Sequence, residues 1–549
     1  MTTDQQKQIS VLLNEIGKAL DVTKTEYEQI TTSYKAVGNY LAEDPSPLKA
    51  YSPQIRPQGS FLLGTAVRPV SEDADLDIDL VCELTKKPFY WTQYFTKNAV
   101  GDRLKESDRY RNMLDKEGKR CWTLKYADGK YHMDVLPCVV NEGYVTALER
   151  MLASSDSVVS DTTAIRITDN TRADYMTETD SDKWQKSNPF GFAKWFYNIA
   201  YRPTDLQRSI NLKEAIAPVP KFYETKAPLQ RVVQLMKRHR DIMFDGNEDD
   251  KPISIIITTL AGRTYNDATD LLTALQHISR NMTSFIEGTQ GHRVIKNPVN
   301  SSENFADRWT PENKKEEYFY QWVSKLQVDV DRLMAAAGHG LDKLQALFEE
   351  LFGEKVSKAS FKAYGDMILA QRKAGKLTAA SGAATLGAGA GTKVAAHNFF
   401  ERVSKMAVVP ISGQVKVLAK KFPNGEVRMQ TPRHLIWEMD ITPSPNSCSY
   451  RIRIDYTLGS TPNTFVIAPT PLKKAEGASS LPHVFDDEKQ QLCLYYGRIG
   501  EWDSSMFLAM KIVPWAAEWL LFYEIWTITG EWCGEGVGHS RKTPYIKSE

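Results

Sequence analysis

Six cysteines are scattered over 549 residues, with no paired metal-binding spacing among them. That scarcity excludes a disulfide framework and a zinc-ribbon site, and it points to reduced thiols in a cytoplasm. Net charge is just as scarce. The 69 Lys and Arg against 68 Asp and Glu leave +1, so no whole-molecule field gathers nucleic acid, although a local basic groove stays open. No apolar run approaches the roughly 20 residues that span a bilayer; the nearest, Trp519 to Thr529, is short and carries Glu524. No membrane association is expected. The N-terminus is polar and without an apolar signal core, which argues against export and for a cytoplasmic protein. What is present is a globular composition, 42% hydrophobic and 25% charged, in a chain too long for one compact core, which suggests about two or three domains.

One stretch organises the first part of the chain. Gln58-Gly59-Ser60-Phe61-Leu62-Leu63-Gly64-Thr65 is followed, after a short polar loop, by Asp75-Leu76-Asp77-Ile78-Asp79-Leu80-Val81. A Gly-Ser pair on a tight turn offers backbone amides and a hydroxyl to a phosphate. Carboxylates two residues apart on a strand project from one face, so Asp75, Asp77 and Asp79 all face the same way. Farther on, Tyr131-His132-Met133-Asp134-Val135-Leu136-Pro137 reads as a second strand, with Asp134 set among apolar residues. Acids converging on one point repel one another unless cations sit between them, and such hard oxygen ligands suit Mg²⁺ or Mn²⁺. The chemistry implied is phosphoryl or nucleotidyl transfer with two metal ions. A solvated acidic edge strand is the plainer reading of the same acids, but it leaves Gly59-Ser60 and the apolar flanks of Asp134 without a reason.

Gly59-Ser60, the Asp77-x-Asp79 pair and Asp134 in its Asp-Val-Leu-Pro setting resemble the polymerase-β-type nucleotidyltransferases. Within these the resemblance is to the cGAS/DncV-like enzymes (CD-NTases) of bacterial anti-phage CBASS systems and to oligoadenylate synthetases, from the N-terminus to about residue 400. The resemblance implies an α+β fold with a polymerase-β-like nucleotidyltransferase lobe and a helical lobe. It selects Asp77 and Asp79, with Asp134, as the metal-holding and catalytic acids, because the family's strand continues as Leu80-Val81-Cys82 does. Gln58, Gly59 and Ser60 become nucleotide-binding. It also implies that Lys237 and Ser254 reach the donor triphosphate. The activity implied is an Mg-dependent synthase that makes a cyclic oligonucleotide from NTPs, with an effector protein acting on the product. Two rivals stand beside it: a transferase that adds a nucleotide to RNA or protein, and a non-catalytic nucleotide-sensing adaptor.

Along the chain, apolar residues from Ile9 to Leu41 recur at helical spacing. They predict one long or once-broken helix packed behind the catalytic sheet, or a coiled-coil arm. Asp128-Gly129 marks a hairpin into the Asp134 strand, with Gly129 setting its register. Ser154 to Asp182, acidic and hydroxyl-rich, reads as a mobile loop or lid. Pro228 to Arg240 is a helix with an apolar face at Leu229, Val232, Val233 and Met236, and with a basic face that either serves the nucleotide through Lys237 or is simply solvated. Ser254 opens the next helix, Ile253 to Tyr265, where capping explains it equally well. The segment from Asn297 to Trp309 is polar, turn-rich and then helical.

Ala374 to Ala396, built from Gly, Ala, Ser and Thr, reads as a flexible tether. It divides residues 1–373, the nucleotidyltransferase, from 401–549, with 374–400 as linker and His397-Asn398-Phe399-Phe400 as a CD-NTase-like tail. The C-terminal part reads as a smaller α+β domain. Val415 to Leu418, His434 to Ile441, Tyr450 to Tyr456 and Phe465 to Ala468 predict a meander, followed by an aromatic helix from Pro514 to Thr529. Strand order, the Pro469 to Pro471 bend, Leu492-Cys493-Leu494 and Trp502-Asp503-Ser504-Ser505-Met506 resemble ubiquitin-conjugating enzymes. That resemblance makes Cys493 the thioester-forming residue and implies a protein target and an activating enzyme as partners, although no asparagine stands near His483 for the oxyanion. On composition alone, a cysteine between two leucines is more often a buried packing residue. Cys533 with His539 makes an incomplete metal pair.

Overall fold

Alternating burial along Leu76–Leu84 makes a strand (β2) whose first half faces a cleft and whose second half is buried. Its neighbour Tyr131–Val139 (β4) repeats the pattern. In this computed structural model, which describes residues 1–71, 75–127, 130–153, 161–200, 225–396, 407–495 and 501–534, the two strands run parallel, with Asp77 opposite His132 and Asp79 opposite Asp134. They are the centre of a six-stranded sheet. Pro53–Pro57 (β1) pairs antiparallel with β2. The far edge of β4 is shared in succession by Trp122–Tyr126 (β3) and Ile165–Ile167 (β5), and Gln185–Ser187 (β6) closes the sheet.

The chain forms two compact units, Leu20–Val330 and Met1–Ala19 with Asp331–Glu549. In the first, the helix Lys24–Ala42 lies behind the sheet, and Ile30, Tyr34, Val37 and Leu41 share a core with Ile55, Ile78, Leu80 and Val135. The N-terminal helical pattern is therefore broken once. Thr23 accepts from the Glu26 amide while Glu26 reaches back to the Thr23 amide, a capping box that starts a new helix. Only the second helix packs behind this sheet; the first, Thr3–Ala19, packs on Glu354–Lys373 in the other unit. The helices Pro228–Met243, Ser254–Thr264 and Leu271–Asn281 form the helical layer. Gln230 and Gln234 of the first of these donate to the carbonyls of Leu63 and Ala66, at 2.8 Å each, and so pin the turn after Gly59.

In the second unit an antiparallel sheet runs in the order Glu426–Gln430, His434–Ile441, Tyr450–Thr457, Asn463–Ala468, Gln491–Leu492 and Val484–Asp486. The helix Ile512–Thr529 is buried almost throughout, with Trp519 stacked on Tyr523. Of its two buried carboxylates, Glu518 and Glu524, the latter accepts from Ser447, Cys448 and Tyr450.

Four expectations are corrected. Val415 to Leu418 is no strand but part of the helix Ile411–Lys421, whose Ile411, Gln414 and Leu418 recur at helical spacing and are buried. The lid expected over Ser154 to Asp182 is in its described part, from residue 161, a piece of the fold: β5 is wholly buried and Thr168 donates to the Pro137 carbonyl. The stretch after Asn304 forms turns, and no helix begins before Lys315. Ala374 to Ala396 is not a flexible tether. Thr378–Ala379, Leu386–Gly387 and Thr392–Lys393 pair into a small sheet, Leu377, Ala379 and Ala384 are fully buried, and the Leu386 amide donates to the Pro443 carbonyl at 3.0 Å. Small residues here serve close packing. Gly129, Ser154 to Ser160, His397 to Phe400 and His539 lie outside the described residues.

Candidate active site

Gly59 begins the short helix Gly59–Leu63 with φ of +62°, a conformation that glycine reaches without strain. The turn is pressed against β2: the Gln58 amide donates to the Asp79 carbonyl at 3.0 Å, and a Cβ on Gly59 would stand 2.0 Å from Asp79 Oδ2. Side chains on the same face of neighbouring strands are in reach of one another. Asp77, Asp79 and Asp134 accordingly bring one carboxylate oxygen each to within 4.8 Å of one another. Burial, then the charges of Asp77 and Asp134, push the Asp79 carboxyl up to about 8. Three hard oxygen donors this close together are the donor set a divalent cation satisfies, so the residues present fit Mg²⁺ or Mn²⁺.

The neighbours of these acids were not legible as such in the sequence. Thr123 Oγ1 donates to Asp134 Oδ1 at 2.5 Å and Cys121 Sγ to Asp134 Oδ2 at 3.3 Å. Both come from β3 or its entrance, and only the pairing of β3 with β4 reveals them. His132 Nε2 stands 3.1 Å from Asp77 Oδ1, and that hydrogen bond raises the imidazole pKa against the effect of burial. A signal did exist for His132, which lies two residues before Asp134 and so on the same face.

Two cavities meet at Gly59, Leu63, Asp79 and Ile255. One, about 650 Å³, is lined by Ser60, Asp77, Lys237, Arg240, Lys251 and Ser254 among others. Lys237 is buried and donates to the Thr65 carbonyl and hydroxyl at 3.1 and 3.2 Å. Burial, then the charge of Arg240, lower its pKa to about 7. The basic face of the helix is thus no solvated face, since Arg231, Lys237, Arg238 and Arg240 are all buried. Ser254 Oγ accepts from Arg240 at 3.0 Å rather than capping its own helix. The other cavity, about 740 Å³, opens beyond Gln58 and Gly59 toward Trp184, Asn188 and the segment from Asn297 to Arg308. Gln58, Gly59, Ser60, Lys237 and Ser254 therefore all line the space around Asp79.

Cys493 belongs to the other unit. Its thiol is half-buried, its amide donates to the His483 carbonyl at 2.9 Å, and burial, then Glu501, push its pKa up to about 11. Cys533 gathers no metal cluster: Asp77, Asp79 and Asp134 form the one such group among the described residues. No helix among those residues is long and apolar enough to cross a membrane.

Residues 6–150 match the family model described as the Second Messenger Oligonucleotide or Dinucleotide Synthetase domain, and residues 414–540 match that of the Type II CBASS E2 protein. A c-di-GMP synthase of Roseivirga ehrenbergii is 29% identical over 360 residues, which is 64% of this chain and 86% of the relative. The cyclic dinucleotide synthase CdnG of Bradyrhizobium diazoefficiens is 23% identical over 381 residues, 66% of this chain and 84% of that one. Among solved structures, the CD-NTase CdnG of Bradyrhizobium diazoefficiens in complex with GTP is similar at a TM-score of 0.46 and 18% identity, over 65% of this chain and 99% of that one.

Proposed function

The chain is a CD-NTase-type nucleotidyltransferase with a CBASS E2 domain toward its C-terminal end, and from that premise we propose that it joins ribonucleoside triphosphates into a cyclic dinucleotide at the Asp77-Asp79-Asp134 site. The observation that carries the reading is the convergence of three carboxylates on a glycine turn where two cavities meet. Asp77, Asp79 and Asp134 would hold the divalent cations. When bound, the metal supplies positive charge that neutralises the triphosphate and lowers the pKa of the acceptor hydroxyl. Lys237 and Ser60 line the cavity that takes the triphosphate, where a phosphate charge beside Lys237 favours its ammonium form. Gly59 lets the backbone approach that phosphate closely. Asp134, its carboxylate oriented by Thr123, is the group placed to accept the hydroxyl proton.

Joining two nucleotides needs both to be held at once, and the pair of cavities on either side of Asp79 offers that room. Purified protein incubated with labelled NTPs alone and Mg²⁺ or Mn²⁺ should release pyrophosphate and yield a small phosphatase-resistant product, identified by its mass. Pyrophosphate release that requires added RNA or protein would support a transferase instead. NTP binding without release would make the chain an adaptor.

For the E2 domain we propose that the Cys493 thiolate attacks the thioester carbonyl of a protein C-terminus carried by an activating enzyme, so that a new thioester forms at Cys493 as the activating enzyme's thiol leaves. With its pKa pushed up to about 11, the thiol is protonated at neutral pH, so the reaction depends on a partner that lowers that pKa. Alkylation of Cys493 should accordingly be slow in the isolated protein and fast once the domain is unfolded. Rapid labelling of the folded protein would show a thiolate already formed without a partner.

A further inference from the structure

The larger of the two cavities is lined, besides Gly59 and Asp79, by polar side chains that the joining chemistry does not use. Among them Glu303, from the strand Asn300–Asn304, stands beside Asn297, whose amide donates to Glu303 Oε2 at 2.7 Å. Arg120 lines the same cavity, fixed there by Asp169 Oδ2 at 2.8 Å and Gln185 Oε1 at 3.0 Å. Burial raises the Glu303 carboxyl above its ordinary range, while the Asn297 amide and the nearby Arg120 guanidinium act in the opposite direction. The lining thus presents a carboxylate acceptor and an arginine donor in the same cavity as Gly59 and Asp79.

We propose that Glu303, with Arg120, selects guanine as the base of the nucleotide held in this cavity. The argument is complementarity. Guanine presents two adjacent donors, N1–H and N2–H₂, next to the acceptors O6 and N7, so a carboxylate takes the donor pair while an arginine serves the acceptors. Adenine presents an acceptor at N1 where guanine has a donor, and it lacks the 2-amino group, which would leave the Glu303 carboxylate facing a lone pair. Uracil and cytosine each offer one donor position and so cannot give the carboxylate a donor pair. A polar site that loses its partner discriminates far more strongly than an apolar one, because its buried groups are left unpaired.

This inference rests on the nucleotidyltransferase reading, and its test separates the two. GMP and AMP, which carry no triphosphate to transfer, are titrated calorimetrically into the full-length protein and into Glu303→Gln. Wild type should bind GMP about 10- to 100-fold more tightly than AMP, and Glu303→Gln should lose most of that ratio by weakening GMP alone. Equal affinity of the two mononucleotides, or a ratio that Glu303→Gln leaves unchanged, overturns the inference whatever the protein does with triphosphates. An equimolar mixture of GTP and ATP gives the catalytic counterpart: guanine should dominate the product of wild type and adenine should gain in that of Glu303→Gln. Product formed with no such shift overturns base selection by Glu303 and leaves the synthase reading standing. Should Glu303→Gln melt early, Glu303→Asp, which keeps the charge but shortens the reach, should lower the GMP preference in the same direction.

Discussion

At Gly59 the absence of a side chain is the functional property. A Cβ there would collide with the Asp79 carboxylate and would also hold a φ of +62°, costing about 1–2 kcal/mol. Gly59→Ala should leave a folded protein with a slightly lower melting temperature but cut NTP turnover by about a hundredfold, because the acid is displaced from its partners. Turnover and melting curves on one preparation check both halves. Asp79 itself carries the pH dependence. Its folded pKa of about 8 lies above the ordinary 3.8, so the folded state holds the proton longer than the unfolded one. That contribution to stability is complete below the ordinary pKa and is lost as pH rises toward about 8. Metal-free protein should therefore melt at a falling temperature from about pH 5 to pH 8. Mg²⁺ or Mn²⁺, which binds the ionised form, should restore stability more strongly the higher the pH. Asp79→Asn should abolish the metal-dependent rise, read by differential scanning fluorimetry.

Single elements deliver residues that no motif announces. Strand β3 pairs with β4 so that Thr123 stands opposite Asp134, and its hydroxyl fixes one carboxylate oxygen at 2.5 Å. Partners behind a metal-binding carboxylate are worth about 10- to 100-fold when removed. Thr123→Val, which keeps the shape of the side chain and removes the donor, should lower kcat and Mn²⁺ affinity by about that factor while KM for NTP holds. Thr123→Ser should recover both. Mn²⁺ affinity by electron paramagnetic resonance gives a readout independent of turnover, and values equal to wild type in the valine variant would remove Thr123 from the site. The helix Pro228–Met243 works in the same way: its glutamines bind the carbonyls after Gly59, so the turn and Lys237 are positioned by one rigid element.

For the whole molecule, the sequence boundary at residue 373 cuts through a compact unit. The helix Glu354–Lys373 buries Phe361, Tyr364 and Ile368, and its Arg372 pairs with Glu518 of the C-terminal helix at 3.2 Å with both side chains buried. A protein ending at Lys373 loses Glu518 and the helix Ile512–Thr529 that packs on Glu354–Lys373, which exposes apolar side chains of the latter to water. Truncation there should give aggregated or early-melting protein, measured by size-exclusion chromatography and calorimetry. A well-behaved 1–373 fragment would show that the Gly/Ala-rich segment separates two independently stable domains.

In the sequence by itself the acids and the glycine turn are legible as local signals, since a two-residue period puts Asp75, Asp77 and Asp79 on one face; the choice of Asp77 and Asp79 among them, and the two domain types, come from the family resemblance of those motifs. The sequence also determined the helices at Pro228 and Pro514, whose apolar periodicity fills more than three turns. Tertiary structure alone decided what depends on which segments meet. Residue spacing carries no trace that Thr123 and Cys121 lie beside Asp134, that the basic face of the Lys237 helix is buried, or that Glu303 and Arg120 line one cavity. The same reason explains the misread tether. Small residues in a row lower the local preference for any element, yet they also let backbones pack closely, and the partners that bury Ala379 and Ala384 lie elsewhere in the chain.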